Sequence, residues 1–361
     1  MKVIFAGGGT GGHVMPALAI AQALSARKEV EIEFVGTING MEAIKAPQAG
    51  YPFHAVSAAQ VKGVGLLRAA AGLVKAFFGI FQARRLLVDL KADVVACVGG
   101  YAGFAGGFAA RLRGTPLLVL EANAVPGRVN RFLAKRADVC ALPFQEAEKL
   151  IRCRRIEITG NPVRPRLIER FKEMRKQKDE KTFHLFVFGG SQGARRLNEA
   201  VMAYAENIAT DLGTKITITH QTGATDFSKV SEFYKSKGID VVTEIFIDDM
   251  GAAYAKADLV LSRAGGSVAE LTALGLPAVL VPYPFAADDH QEANAEVLKN
   301  AGAAVVIKNE DLTGESLGRI IEEFRADPGK IRAMSAASRK IGRPDAAKRI
   351  ADLILSLGGI S

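Results

Sequence analysis

The stretch "KVIFAGGGTGGHVMPALAIAQAL" (2–24) runs from a short apolar segment through a glycine-rich turn into His13 and an alanine-rich helical pattern. Strand, bare loop and helix in that order form the opening unit of a parallel α/β sheet. Gly7, Gly9 and Gly12 satisfy G-x-G-x-x-G, the dinucleotide-binding pattern. That pattern also requires an acidic residue at the end of the second strand, about 20 residues on, to hold a ribose. Here the second strand, within "VEIEFVGT" (30–37), ends in Val35, Gly36 and Thr37, and Glu31 and Glu33 lie inside it. A dehydrogenase is therefore the poorest reading. A Walker loop fails as well, because no G-K-[ST] follows the glycines.

The same opening recurs at "LFVFGGSQGAR" (185–195). Short apolar runs alternate with helical patterns along the whole chain: "KVIFA", "VEIEFVG", "DVVACVG" and "PLLVL", then "FHLFVFG", "KITITH", "DLVLS" and "PAVLVP". Between the two series lies the polar stretch "RPRLIERFKEMRKQKDEKT" (164–182), which reads as a linker. The expectation is an α/β chain of two Rossmann-like domains, 1–163 and 164–342, with parallel sheets facing across a cleft and the ligand at the carboxyl ends of the strands.

Bulk properties agree with this layout. A chain of 361 residues is long for one core, and 49% hydrophobic with 24% charged residues describes a soluble globular protein. Cys97, Cys140 and Cys153 show neither C-x-x-C nor zinc spacing, which points to packed thiols in a reducing compartment. No signal-peptide core and no run of about 18 apolar residues is present. The formal charge of +9 is unevenly spread: residues 1–160 hold 20 Lys and Arg against 11 Asp and Glu, and the rest hold 27 against 27. The first half is thus expected to meet an anionic partner.

A glycine turn opening a helix exposes free N–H groups at the positive end of the helix dipole, where a diphosphate fits. There are two such turns and a third glycine-rich segment, "CVGGYAGFAGG" (97–107). His13 follows the first turn directly, where the dipole keeps its ring neutral, as a general base requires; the alternative is a plain helix cap. In the second half, Glu270 at a helix start suits a ribose diol through both carboxylate oxygens, or serves only as capping charge. His290, Gln291 and Asn294 offer donors and acceptors for sugar hydroxyls, or form a solvated helix start.

Taken in order, "GGTGGHVMPALA" (8–19), "GGYAGFAGG" (99–107), "EANAVPGRVNRFLAKRAD" (121–138), "GNPVR" (160–164), "GGSQGARRLN" (189–198), "FIDDM" (246–250), "SRAGG" (262–266) and "DDHQEANA" (288–295) resemble the MurG family, glycosyltransferase family 28. Its members are the UDP-N-acetylglucosamine:lipid I N-acetylglucosaminyltransferases of peptidoglycan synthesis. The resemblance implies the GT-B fold, with donor bound mainly by the second domain, acceptor by the first, and a C-terminal helix (about 343–361) returning to the first. It implies sugar contacts at Thr10, Gly11, Gly12 and Asn123. It implies diphosphate and nucleotide contacts at Arg164, Ser191, Ile247, Gly266 and Ser267, with Glu270 on the ribose and Gln291 on the sugar hydroxyls. The reaction implied is inverting, needs no metal or cofactor, and leaves His13 as the candidate base with Glu121 as an alternative or orienting partner. Two departures stand out. "LEAN" (120–123) replaces the family's H-E-Q-N, and the turn "GGSVAE" (265–270) is one residue shorter than usual.

The segment "GLLRAAAGLVKAFFGIFQARR" (65–85) has helical periodicity, with Arg68, Lys75 and Gln82 on one face together with Gly72 and Gly79, and Leu67, Val74, Phe77, Phe78 and Phe81 elsewhere. With Lys62, Arg84 and Arg85 at its ends it suits a membrane interface; the alternative is a helix covering the sheet with its aromatics buried. The basic half and a lipid-linked acceptor together favour peripheral attachment to an anionic surface, the cytoplasmic face of the bacterial inner membrane. Nucleic acid is not expected as a partner, for want of any recognisable binding motif. The rivals are a non-hydrolysing UDP-GlcNAc 2-epimerase or another GT-B glycolipid glycosyltransferase and, from a different class, a nucleotide-sugar-binding regulatory module, which would have no need of His13.

Overall fold

The computed structural model describes residues 1–27, 30–58, 66–178, 182–190, 192–208 and 216–360; the side chains of 66–76 and of Ala287 lie outside that description. The chain forms two compact units, Met1–Pro165 with Pro344–Ser361, and Arg166–Arg343. Arg164 therefore belongs to the first unit.

The first unit is built on seven parallel strands: β1 (Lys2–Ala6), β2 (Glu31–Gly36), β3 (Phe53–Ala55), β4 (Val94–Cys97), β5 (Leu117–Leu120), β6 (Val139–Leu142) and β7 (Ile156–Ile158). Their order is β3-β2-β1-β4-β5-β6-β7. The second unit has β8 (Phe183–Phe188), β9 (Ile216–Gln221), β10 (Val241–Glu244), β11 (Leu259–Ser262), β12 (Ala278–Leu280) and β13 (Ala304–Val306), ordered β10-β9-β8-β11-β12-β13. Both follow the Rossmann order, in which the topology reverses beside the first strand of each sheet. The central strands β1, β4, β5, β8, β11 and β12 are mostly apolar because both of their faces are covered. Val3 and Phe5 of β1 join one core layer and Ile4 and Ala6 the other.

Helices cross between the strands: α1 (Gly11–Ser25), α2 (Glu42–Gln48), α3 (Leu66–Asp89), α4 (Gly100–Arg113) and α5 (Arg128–Ala134) in the first unit. The second is covered by α6 (Pro165–Arg175), α7 (Arg195–Ile208), α8 (Phe227–Ser236), α9 (Met250–Lys256), α10 (Ser267–Leu274), α11 (His290–Asn300), α12 (Gly314–Ala326) and α13 (Pro328–Ile341). The last helix, α14 (Ala346–Leu357), lies in the first unit, where Ile350, Ala351, Ile354 and Leu355 share a core layer with Val14, Ala17 and Leu18 of α1.

One sequence expectation is corrected and two are filled in. The polar stretch 164–182 is not simply a linker: α6 occupies 165–175, buries Leu167 and Ile168, ties Arg170 to Asp249 at 2.8 Å and donates from Arg175 to the Ala255 and Ala257 carbonyls. Its polar composition hides one narrow apolar face. Five further strands, β3, β6, β7, β10 and β13, lie outside the apolar runs read from the sequence. In α3 the faces divide as periodicity indicated, with Gly79 and Gln82 set apart from the phenylalanines. Gly79, Ala83 and Leu87 turn inward, and Gln82 accepts a hydrogen bond from the Ser57 amide at 2.7 Å. Phe77, Phe78 and Phe81 stand outward, 60%, 59% and 52% exposed. Lys62 and the side chains of Leu67, Arg68, Val74 and Lys75 lie outside the described residues. Among the described residues no helix is long and apolar enough to cross a membrane.

Candidate functional site

In each sheet the loops after the two strands flanking the reversal lie side by side. In the first unit these are Gly7–Thr10 after β1 and Val98–Gly99 after β4, joined by the Gly8 amide donating to the Gly99 carbonyl at 3.3 Å. His13, in the first turn of α1, brings its Nδ1 to 3.1 Å from the Gly8 carbonyl oxygen and 3.4 Å from the Thr10 hydroxyl. A carbonyl only accepts, so a hydrogen bond at this contact requires the hydrogen on Nδ1, which leaves Nε2 as the basic nitrogen whenever the ring is neutral. Gly99, at φ +94°, makes room for that ring: a Cβ there would lie 3.0 Å from His13 Cδ2 and Nε2 and 3.7 Å from Asn130 Nδ2. A cavity of about 940 Å³ opens here, lined by Thr10, His13, Thr37, Glu42 and Tyr101 among others. Gly11 and Gly12 begin α1 and are not among the residues that line the cavity.

One strand further on, Glu121 is 2% exposed and its carboxylate organises the loop after β5. Oε1 accepts from the Ala122 and Asn123 amides, both at 2.9 Å, and from Asn123 Nδ2 at 3.3 Å. Oε2 accepts from the Gly127 amide at 2.9 Å and Asn130 Nδ2 at 2.8 Å. Asn130 also donates to the Leu120 carbonyl, while its Oδ1 is buried without a hydrogen-bond partner. Glu121 and Asn123 are thus brought together, outside the residues that line the cavity.

In the second unit the loops after β8 and β11 bound a cavity of about 700 Å³, lined by Gly190, Arg263, Gly266, Ser267, Phe285 and Gln291 among others. Gly266, Ser267 and Gln291 therefore meet. Ser267 donates to the Arg263 carbonyl at 3.1 Å and Gln291 Oε1 accepts from the Tyr283 amide at 3.0 Å. Glu270, in the first turn of α10, accepts from the Tyr254 hydroxyl at 2.8 Å and does not line the cavity. Ile247 is held from behind: its amide donates to Gln221 Oε1 at 2.9 Å, and Gln221 Nε2 donates to the Gly190 carbonyl at 3.0 Å. Arg164 makes no hydrogen bond or ion pair among the described residues. Ser191 lies outside them.

Three residues here escaped the sequence reading: Glu42, Gln221 and Arg263. Arg263 lies inside "SRAGG" (262–266), where nothing local marks it for a role. It hydrogen-bonds the Val281 and Pro282 carbonyls at 3.1 Å and lies over the Tyr283 ring at 5.5 Å, a fixed cation in the cavity wall. Burial lowers its pKa below the ordinary arginine value. Gln221 sits at the end of an apolar strand pattern and carries no local signal. Glu42 follows "GTING" (36–40), whose glycines were the available hint.

The family models for the glycosyltransferase family 28 N-terminal domain and C-terminal domain match residues 3–141 and 184–350. A UDP-N-acetylglucosamine--N-acetylmuramyl-(pentapeptide) pyrophosphoryl-undecaprenol N-acetylglucosamine transferase of Geobacter metallireducens is 40% identical over 359 residues, 99% of this chain and 98% of its own. That of Myxococcus xanthus is 39% identical over 363 residues, 99% of this chain and 93% of its own. The crystal structure of Acinetobacter baumannii MurG superposes with a TM-score of 0.80 at 31% identity, covering 98% of this chain and 99% of that one. A UDP-GlcNAc 2-epimerase from Neisseria meningitidis reaches 0.68 at 15% identity, covering 99% and 100%, a likeness of fold alone.

Proposed function

Because this chain belongs to glycosyltransferase family 28, a GT-B family, we propose that it transfers N-acetylglucosamine from UDP-N-acetylglucosamine to the C4 hydroxyl of the N-acetylmuramyl sugar of lipid I. The product is lipid II, the precursor of peptidoglycan. The observation that carries this reading is likeness to named transferases over 99% of the chain, spanning both units. A binding module would need only one of them.

In this reading His13 Nε2 takes the proton of the attacking hydroxyl, the sugar inverts at its anomeric carbon, and UDP departs with the bonding electrons. The Nδ1–H bond to Gly8 supports that assignment by leaving Nε2 as the base. Glu121, its oxygens already occupied by five donors, orients Asn123 and Asn130 beside the acceptor and is not the base. Thr10, Gly11, Gly12 and Asn123 receive the sugars. Arg164, Ser191, Ile247, Gly266, Ser267 and Gln291 receive UDP-N-acetylglucosamine, with Arg263 adding positive charge and Glu270 accepting from the ribose. Peripheral docking on the cytoplasmic face of the inner membrane is supported by the outward Phe77, Phe78 and Phe81 and by the basic excess of residues 1–160. In the cell such an enzyme serves wall biogenesis and, through it, shape and division.

Incubation with UDP-N-acetylglucosamine and a short-chain lipid I analogue, following UDP release and the disaccharide product, tests the activity. Epimerised UDP-sugar without disaccharide would overturn it in favour of the epimerase.

A further inference from the structure

We infer that Glu42 is a positioning residue for His13, acting through the Gly8–Gly9 peptide; this rests on the reading of His13 as the base. Glu42 begins α2, yet its side chain turns inward and the residue is 1% exposed. Oε2 accepts from the Gly9 amide at 2.7 Å, while Oε1 accepts from the Thr37 amide at 2.8 Å and the Thr37 hydroxyl at 3.0 Å. Gly8 from the loop after β1, Gly36 at the end of β2 and Gly40 from the loop after it surround the carboxylate so closely that a Cβ on any of them would overlap it. Bare backbone on three sides is what admits a buried carboxylate at this point. It also explains why the glycine run extends beyond the turn that α1 needs.

The Gly9 N–H and the Gly8 C=O are the two ends of one planar peptide group. Glu42 grips the N–H end, and the His13 Nδ1–H donates to the C=O end at 3.1 Å. The peptide thus stands between carboxylate and imidazole, in the place where catalytic triads have a direct carboxylate–histidine bond. A carboxylate accepting from the N–H polarises the peptide and makes its oxygen a better acceptor. Two effects follow. The ring is locked in the tautomer whose Nε2 is basic, and the imidazolium formed when Nε2 takes the hydroxyl proton is stabilised by the same chain of hydrogen bonds. No proton moves to Glu42: the acceptor's proton ends on Nε2, Nδ1 keeps its own, and the electron pair of the broken bond leaves with UDP.

Glu42→Gln is the test. With the amide oxygen kept towards the two Thr37 donors, the NH₂ faces the Gly9 N–H and that bond is lost. Loss of a hydrogen bond to a charged group lowers kcat about 10- to 100-fold, with KM for UDP-N-acetylglucosamine changed by less than about twofold because the proposed donor residues of the second unit are untouched. Glu42→Asp recovers part of the rate. In the unmodified enzyme at about pH 8, above the usual histidine pKa, the His13 ring nitrogens, assigned against His13→Ala, give the ¹⁵N pattern of an Nδ1–H tautomer; in Glu42→Gln the Nε2–H form appears. An Nε2–H tautomer in the unmodified enzyme overturns the inference whether or not the variant folds. So does a folded Glu42→Gln with kcat within about threefold of the parent and an unchanged tautomer. If His13→Ala is itself fully active, the base assignment falls; if His13→Ala is inactive and Glu42→Gln active, only the role of Glu42 falls.

Discussion

Replacing Glu121 by glutamine separates an organising carboxylate from a reacting one. Glu121 is 2% exposed and accepts from three backbone amides and two asparagine side chains. A glutamine has one acceptor oxygen. Turned towards Ala122 and Asn123 it preserves that side and sets its NH₂ against the Gly127 N–H and Asn130 Nδ2. Asn130 is able to rotate its unpartnered Oδ1 towards the new donor, but then gives up its bond to the Leu120 carbonyl. Two bonds to a charged acceptor are lost at about 1.5–3 kcal/mol each, so the first unit is expected to lose about 3 to 6 kcal/mol. For a unit of this size the melting midpoint falls by about 10 °C. Because the chain has no tryptophan, far-UV circular dichroism during thermal and urea unfolding is the suitable readout. Turnover should fall in parallel, and lowering the temperature should recover part of it. A variant with an unmoved midpoint and turnover reduced about 10³-fold would refute the reasoning, because that is the signature of a base removed from an intact site.

Other consequences are equally open to measurement. His13→Ala should lower kcat at least about 100-fold while leaving the Kd for UDP-N-acetylglucosamine within about twofold, read by steady-state kinetics and calorimetry; equal losses would make His13 a binding residue. Burial pulls the His220 pKa down to about 3, and burial beside Lys256 and Lys178 pulls that of His184 to about 4. Both bind their proton in the unfolded chain near 6.5, so the second unit's stability is level above that pH and declines as pH falls from there towards 4 and 3, by about 2 kcal/mol per histidine between pH 7 and 5. Urea midpoints at the two pH values check this, and His220→Gln should remove about half of the decline. Reversing Arg84 and Arg85 to glutamate, with Phe77 and Phe81 changed to serine, should weaken sedimentation with anionic vesicles at least tenfold; unaltered binding would count against docking through α3.

Much of the fold was legible because its signals are local. The runs at 3–6 and 185–188 are apolar at successive positions, as strands buried on both faces must be, and each is followed by glycines and a helix. His13 and the donor-side motifs stand out as candidates for the same reason: their chemistry sits within a few residues of a turn. The stretch 164–182 misled because a helix with one narrow buried face looks, by composition, like a linker. Short strands such as β3 and β13 carry too few residues to show a period and form because a neighbouring strand supplies their hydrogen bonds.

By itself the sequence determined the repeated strand–glycine–helix unit, the two-unit plan, the family and most candidate ligand residues, since each depends on neighbouring residues or on an ordered series of motifs. Only the tertiary structure decided what holds those residues in place. The strand order puts the loop after β2 beside the loop after β1, and so brings Glu42 onto Gly9 across 33 positions. The same kind of adjacency sets Gln221 between Gly190 and Ile247 and turns the phenylalanines of α3 outward. Such contacts follow from which strands are neighbours and which face of a helix is covered, and no local period in the chain encodes either.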